Sequence, residues 1–285
     1  MRSLTVAFLL AFGLVACGDA SGNSTGQFTY VGGNGNGNPN GESDAGGGGG
    51  GGSDAGGGGS DASITTASFD VLLDKSASDV ELRSSVDIQV TVAPKNFTGA
   101  VALSVTGLPA GVTAAFASTT LNVTGTTGQT TKLTLTTKSD TAASLQNLQV
   151  TGTSGGKTGQ AALALTIKPI LTITIPTNVD AMKGTQGNPS TNAFGDYPIV
   201  ITAPTNIAAN PVEVKFVNKD SAGHCIHASN PGQGFAHDPV TNGVCNALIQ
   251  QNQMSGQARK VNATGSYVFY LHDQGDLTRG QIKIQ

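Results

Sequence analysis

The sequence predicts an all-β protein carried behind a low-complexity leader. Three observations predict it. From about residue 64 onward, Val, Leu and Ile alternate with polar residues at period two, the spacing of half-buried strands. Short clusters of Gly, Pro, Asn and Thr punctuate these runs, as turns between antiparallel strands require. The composition agrees: Gly totals 40, Trp is absent, and only 12% of residues are charged. The 285 residues are enough for about two ordinary domains. A formal net charge of −3, with no clustered Lys or Arg, excludes the basic face that nucleic-acid binding needs.

The chain opens MRSLTVAFLLAFGLVACGDA. Arg2 supplies the positive end of an export signal, and residues 4–16 its apolar run. That run is shorter than the ~20 residues a membrane-spanning helix needs. It ends in Leu14-Val15-Ala16-Cys17, which resembles the bacterial lipobox. The resemblance implies that residues 1–16 are removed and that Cys17 is acylated, giving the chain a membrane partner through its lipids. Two or more acyl chains provide stable anchoring. Gly18 follows the cysteine where Asp would imply retention in the inner membrane, so the resemblance implies an outer-membrane address. The other reading is an ordinary cleaved signal with a cysteine just beyond it.

Residues 17–63 form a tether. Its core is a slipped repeat, SDAGGGGGGG, SDAGGGG and SDA, with almost nothing apolar to offset the entropy of ordering. About 46 residues of Gly-rich coil have an r.m.s. span of 35–40 Å. Gly22-Asn23-Ser24-Thr25-Gly26 matches G-x-S-x-G, but a nucleophile elbow needs a strand before it and a helix after it, and the sequence offers neither. With no nucleophile–base set and no paired-carboxylate motif elsewhere, the chain does not read as an enzyme.

Residues 64–168 hold about eight short strands, the pattern of an antiparallel sandwich. Val86, Ile88, Val90 and Val92 alternate with polar neighbours. So do Val101, Leu103 and Val105, then Leu133 and Leu135, then Leu163, Leu165 and Ile167. FTGAVALSVTGLPAGVTAAF and LQVTGTSGGKTGQAALALTI resemble the immunoglobulin-like (Ig-like) repeats of bacterial surface proteins. This unit has no Cys, His or Trp, so it reads as a rigid spacer; a protein or glycan face is the alternative, and no residue names the partner.

Residues 169–285 form a second β unit, with strands ILTITIP, YPIVITAP, VEVKFVN, ARKVNA, GSYVFYL and GQIKIQ. All four histidines of the chain lie here: His224, His227, His237 and His272. Asn218-x-Asp220-x-x-x-His224 resembles the cupredoxin loop that supplies the first copper histidine. GSYVFYLHDQGDLTRGQIKI resembles the closing cupredoxin hairpin. The resemblance implies a cupredoxin-like Greek-key sandwich. It also places the copper cysteine at Leu271, a histidine near Gln274 and a methionine near Leu277. A type 1 copper site needs two His and a thiolate. Leu271 has none, and shifting the register by one residue to His272 adds none, so blue copper is not expected.

With Cys17 assigned to lipid, Cys225 and Cys245 remain, and in an exported protein two remaining cysteines pair. Closing that loop of about 20 residues contributes about 3 kcal/mol. Strand alternation puts His224 on one face, with Cys225 and His227 turned away from it. If His224 faces the site, the candidate ligands are His224, His237 and His272, an imidazole set suited to non-blue copper or to zinc. The alternative is that these are hydrogen-bonded histidines around a lost site, with no cofactor at all. The sequence thus describes a lipid-anchored cell-envelope protein that displays a binding head.

Overall fold

The computed structural model describes residues 66–228, 235–256 and 259–285. The expected signal (1–16), Cys17, the expected tether (17–63) and the Gly22–Gly26 motif lie outside them. The first strands are β1 (Ser68–Leu73), β2 (Ala77–Leu82), β3 (Ser85–Lys95), β4 (Gly99–Thr106), β5 (Val112–Phe116), β6 (Thr120–Val123), β7 (Gln129–Thr137), β8 (Leu145–Ser154) and β9 (Lys157–Ile175). One sheet runs β1-β3-β7-β5; facing it, β9-β8-β4-β6 pair in order, with β2 parallel to β9. With β1, β3, β4, β5, β7, β8 and β9 taken as A to G, these sheets have the ABED and CFG orders of an immunoglobulin sandwich. β2 and β6 are additions to the second sheet. The alternating residues face inward as expected: Ile88, Val90, Val101, Leu133, Leu135 and Leu165 are fully buried.

The boundary expected between residues 168 and 169 falls inside β9. This strand passes Lys168 and Pro169 without leaving the sheet and then pairs in parallel with a strand of the second sandwich. Proline has no N–H for the ladder, so a central strand accepts it only at an irregularity. The β2 register supplies one: Glu81 faces Lys168, and the next residue, Leu82, faces Leu171. Burial keeps its parity across the break, from Leu163, Leu165 and Ile167 to Leu171, Ile173 and Ile175. One strand therefore lines both sandwiches, and their buried side chains join in one core.

The remaining strands are β10 (Ile199–Ile201), β11 (Val212–Asn218), β12 (Ile226–Ala228), β13 (Val240–Thr241), β14 (Val244–Cys245), β15 (Arg259–Val261), β16 (Gly265–Leu271) and β17 (Arg279–Ile284). β15-β11-β9 continues the large sheet, and β10-β17-β16-β12 packs as a separate sheet. β9 with β11 and β10 with β17 are parallel, while β16 with β17 and β12 with β16 are antiparallel. All six sequence-assigned strands of this unit are present; the short β12, β13 and β14 are additions. Phe269 lies over Gly280, its partner on β17, where a Cβ would sit 2.0 Å from the ring. Only glycine fits there. Phe269 also meets Phe216 and Phe194, each with ring centroids 5.0 Å away, so the hairpin that carries His272 is fixed to the core. At its start the Tyr267 hydroxyl donates to Ala263 O at 2.8 Å, a tyrosine corner in miniature.

Candidate metal centre

The register of β12 against β16 builds the site. Ile226 faces Leu271 and His227 faces Tyr270. The His272 N–H then donates to Cys225 O at 2.9 Å, which extends the pairing by one residue. Opposed residues share a face, and faces alternate along a strand. Cys225, His227, Tyr270 and His272 therefore form one cross-strand group, and Ile226 and Leu271 point into the core. The His227 ring stacks on Tyr270, with centroids 4.3 Å apart and planes at 17°.

His237 arrives from the loop that follows β12. Asp238 holds that loop: its Oδ2 accepts the Ile226 N–H at 2.7 Å, and its Oδ1 pairs with Arg259. Arg259 is fully buried, donates from Nε to Ala236 O at 3.0 Å, and lies 5.0 Å from the centre of the Phe216 ring. This brackets His237 on both sides. Its own Nδ1 donates to Asp238 O. A carbonyl only accepts, so Nδ1 carries the proton and Nε2 is free to accept or to ligate. That Nε2 lies 2.6 Å from His227 Nδ1.

His227, His237 and His272 thus bring one ligand atom each to within 4.8 Å of one another, all half-buried. Burial pushes the His227 imidazole below its ordinary value, and the neighbouring His237 and His272 push it further. A neutral imidazole is the metal-binding form. A tetrahedral ion with bonds of 2.0–2.1 Å spaces nitrogens about 3.3 Å apart, so an ion would replace the His227–His237 hydrogen bond and spread those rings by roughly 0.7 Å.

His224 is not in this group. It is fully buried just before β12, bridged to Ile249, and both of its nitrogens are engaged: Nε2 with Asp220 Oδ2 at 2.9 Å and Nδ1 with Asp273 Oδ2 at 3.1 Å. Neither nitrogen is left for a metal. Burial alone would lower its pKa, but the bonds to Asp273 and Asp220 outweigh burial and raise it, as for an imidazolium between two carboxylates. The remaining residues of the Asn-x-Asp motif are equally committed. Asn218 donates to Ala222 O and Ile249 O at 2.6 and 2.7 Å and accepts the Asp220 N–H at 2.8 Å. Asp220 Oδ1 accepts the Asn178 N–H at 2.7 Å. Burial raises the Asp220 carboxyl, yet His224 and the backbone N–H groups lower it on balance.

The expected grouping of His224, His237 and His272 does not form; the histidines that converge are His227, His237 and His272. Strand parity separates 224 from 227 as read from the sequence, but the open face is that of 227. Leu271, where the resemblance stated above would place a cysteine, is core. Gln274 bonds Asp180 Oδ1 and Thr278 Oγ1, both at 2.7 Å. Cys225 and Cys245 form the expected disulfide, with Cα atoms 6.4 Å apart. Both sulfurs lie beside His272. Sequence reasoning did not reach Asp238, Arg259, Asp273 or Tyr270. The usable signal was Cys225-x-His227 opposed to Tyr270-x-His272, two alternate pairs that fall on one face once paired.

No family model matches the chain, and no curated protein matches it. Among solved structures it is similar to domains 4 and 5 of the S-layer protein SbsC, at 8% identity and TM-score 0.28, covering 35% of this chain and 53% of that one. The chain thus spans about half the length of that fragment. The FixG-related protein from Vibrio parahaemolyticus gives 16% identity and TM-score 0.29, covering 36% of this chain and 96% of that one. An I-band fragment of titin gives 7% identity and TM-score 0.24, covering 77% and 65%. The immunoglobulin assignment above rests on strand order.

Proposed function

We propose that this is a lipid-anchored envelope protein that displays, on an Ig-like spacer, a cupredoxin-like head binding zinc or non-blue Cu(II) through His227, His237 and His272. One observation carries the metal reading: three imidazoles, one on β12, one just after β16 and one on a braced loop, converge with their ligand atoms within 4.8 Å. Imidazole suits both metals, and three nitrogens leave a position for water or an anion. The parallel pairings of β9 with β11 and β10 with β17, closed by the β16–β17 hairpin, support the cupredoxin-like reading. Metal binding is the head's task and display is the task of what precedes it. The Cys17 lipobox and the Gly-rich tether support the anchoring.

The test is calorimetric titration of Zn2+ and Cu2+ into the mature protein. One equivalent should bind, and copper should give no intense blue band, because both head cysteines are in a disulfide. Binding unchanged in His227→Ala would sink the metal reading. Cys17→Ala should release the protein from membranes or leave its signal unprocessed; continued partition with lipid after cleavage would sink the anchor.

A further inference from the structure

Two candidate ligand sets meet at His272. One is the imidazole set; the other is Cys225, Cys245 and His272, whose ligand atoms also lie within 4.8 Å of one another. We propose that reduction of the Cys225–Cys245 disulfide opens a second metal site, a Cys2His set for a thiophilic ion, Cu(I) or Zn2+. The sulfur set shares only His272 with the imidazole set and stands without it.

The chemistry balances with a dithiol as reductant. Its thiolate attacks one sulfur, its second thiol resolves the mixed disulfide, and two electrons and two protons pass to Cys225 and Cys245. Cys245 is the partly exposed sulfur and the accessible point of attack, whereas Cys225 is fully buried. An incoming ion then displaces both thiol protons, since thiolate is the ligand form.

A reduced pair makes a site only if it stays together, and here the loop is fastened without the disulfide. Upstream of Cys245, the Asp238 N–H donates to Ile226 O at 3.1 Å, and the Asp238 carboxylate takes the Ile226 N–H. Downstream, His224 and Ile249 exchange both backbone bonds, at 2.7 and 3.2 Å. Between them Val240 pairs with Cys245 across β13 and β14, and the Asn246 N–H donates to Pro239 O at 2.9 Å. Cys245 is therefore held opposite Cys225 from both sides. Reduction replaces a covalent staple by two soft donors at a fixed distance from an imidazole, which moves the preference from N-ligated Cu(II) toward Cu(I) and zinc.

The experiment uses the full mature protein, reduced anaerobically with a dithiol, freed of reductant and titrated to confirm two thiols. Co2+ is the probe, because thiolate ligation gives an intense near-ultraviolet charge-transfer band that imidazole ligation does not. The band should appear in reduced and not in oxidised protein, disappear on adding Zn2+, and survive in the His227→Ala, His237→Ala double variant. It should weaken or vanish in His272→Ala and in wild-type protein alkylated after reduction, which needs no cysteine variant to fold. A reduced protein with two titratable thiols and no band overturns the proposal, as does an undiminished band in His272→Ala. A band in reduced protein together with no metal uptake by oxidised protein upholds the sulfur site and removes the imidazole reading alone.

Discussion

His224 and His227 are three residues apart, the first in an isolated bridge just before β12 and the second within β12, and have become different chemical groups. His224 is enclosed, with a carboxylate on each nitrogen. His227 meets two other imidazoles and a tyrosine ring, and among the described residues its hydrogen-bond partner is His237 and not a carboxylate. The first arrangement stabilises a cation and consumes both lone-pair positions. The second disfavours a cation and leaves nitrogens for an ion. A histidine's role is thus set by what its strand partner and its face bring to it, and neither is visible in a local motif.

The largest expected effect removes the brace that holds His237 beside His227. Asp238→Ala leaves the Arg259 guanidinium buried without its carboxylate and frees the loop that carries His237. Breaking a buried pair by removing one partner costs about 3–5 kcal/mol. Chemical denaturation should show that loss, and a change below about 1 kcal/mol would mean that Arg259 is held by its other contacts and that the brace is dispensable.

The next effect crosses the two histidines. His224→Ala should cost about 3 kcal/mol of stability, from a cavity and two carboxylates left without their donor. It should weaken zinc binding by about 10-fold at most, acting only through Asp273 beside His272. His227→Ala should cost under about 1 kcal/mol at its half-exposed position, yet lower zinc affinity on the order of 100-fold by removing one of three ligands. Denaturation and calorimetry on both variants decide it. Equal effects on both measurements would erase the distinction.

Much of this contrast was legible before the structure, up to one choice. Period-two alternation located the Ig-like strands from Val86 to Ile167 and the six main strands of the head, because a buried face repeats every second residue. The same rule separated His224 from His227, and cysteine arithmetic paired Cys225 with Cys245. The choice of face did not follow from the rule. It rested on Asn218, Asp220 and His224 resembling a copper loop, and in this protein those residues hydrogen-bond one another in the interior. The register of β12 against β16, which opposes His227 to Tyr270, depends on a three-residue strand with no pattern of its own. The continuity of β9 through Pro169 was hidden because a proline ordinarily marks a boundary, and the irregularity that accommodates it, two residues of β9 passed over between the partners of Glu81 and Leu82, shows only in the pairing with β2.

The smallest expected effect is the most discriminating, because the two histidines should bend the stability of the metal-free protein in opposite directions with pH. His224 has a raised pKa: burial opposes the shift, and the bonds to Asp273 and Asp220 overcome it. The folded state then holds its proton more tightly than the unfolded chain does. Its contribution is complete below about 6.5, the unfolded value, and is lost as pH rises through the higher folded value. His227 has a lowered pKa, from burial first and then from His237 and His272. Its neutral form is favoured on folding, so its contribution is complete above about 6.5 and is lost as pH falls through the lower folded value. Melting temperatures of wild type, His224→Gln and His227→Gln across about pH 5 to 9 separate them. His224→Gln should flatten the alkaline decline and leave the acid limb, and His227→Gln should do the reverse. If both variants flatten the same limb, the surroundings of His224 and His227 are electrostatically one environment, and the contrast drawn between them fails.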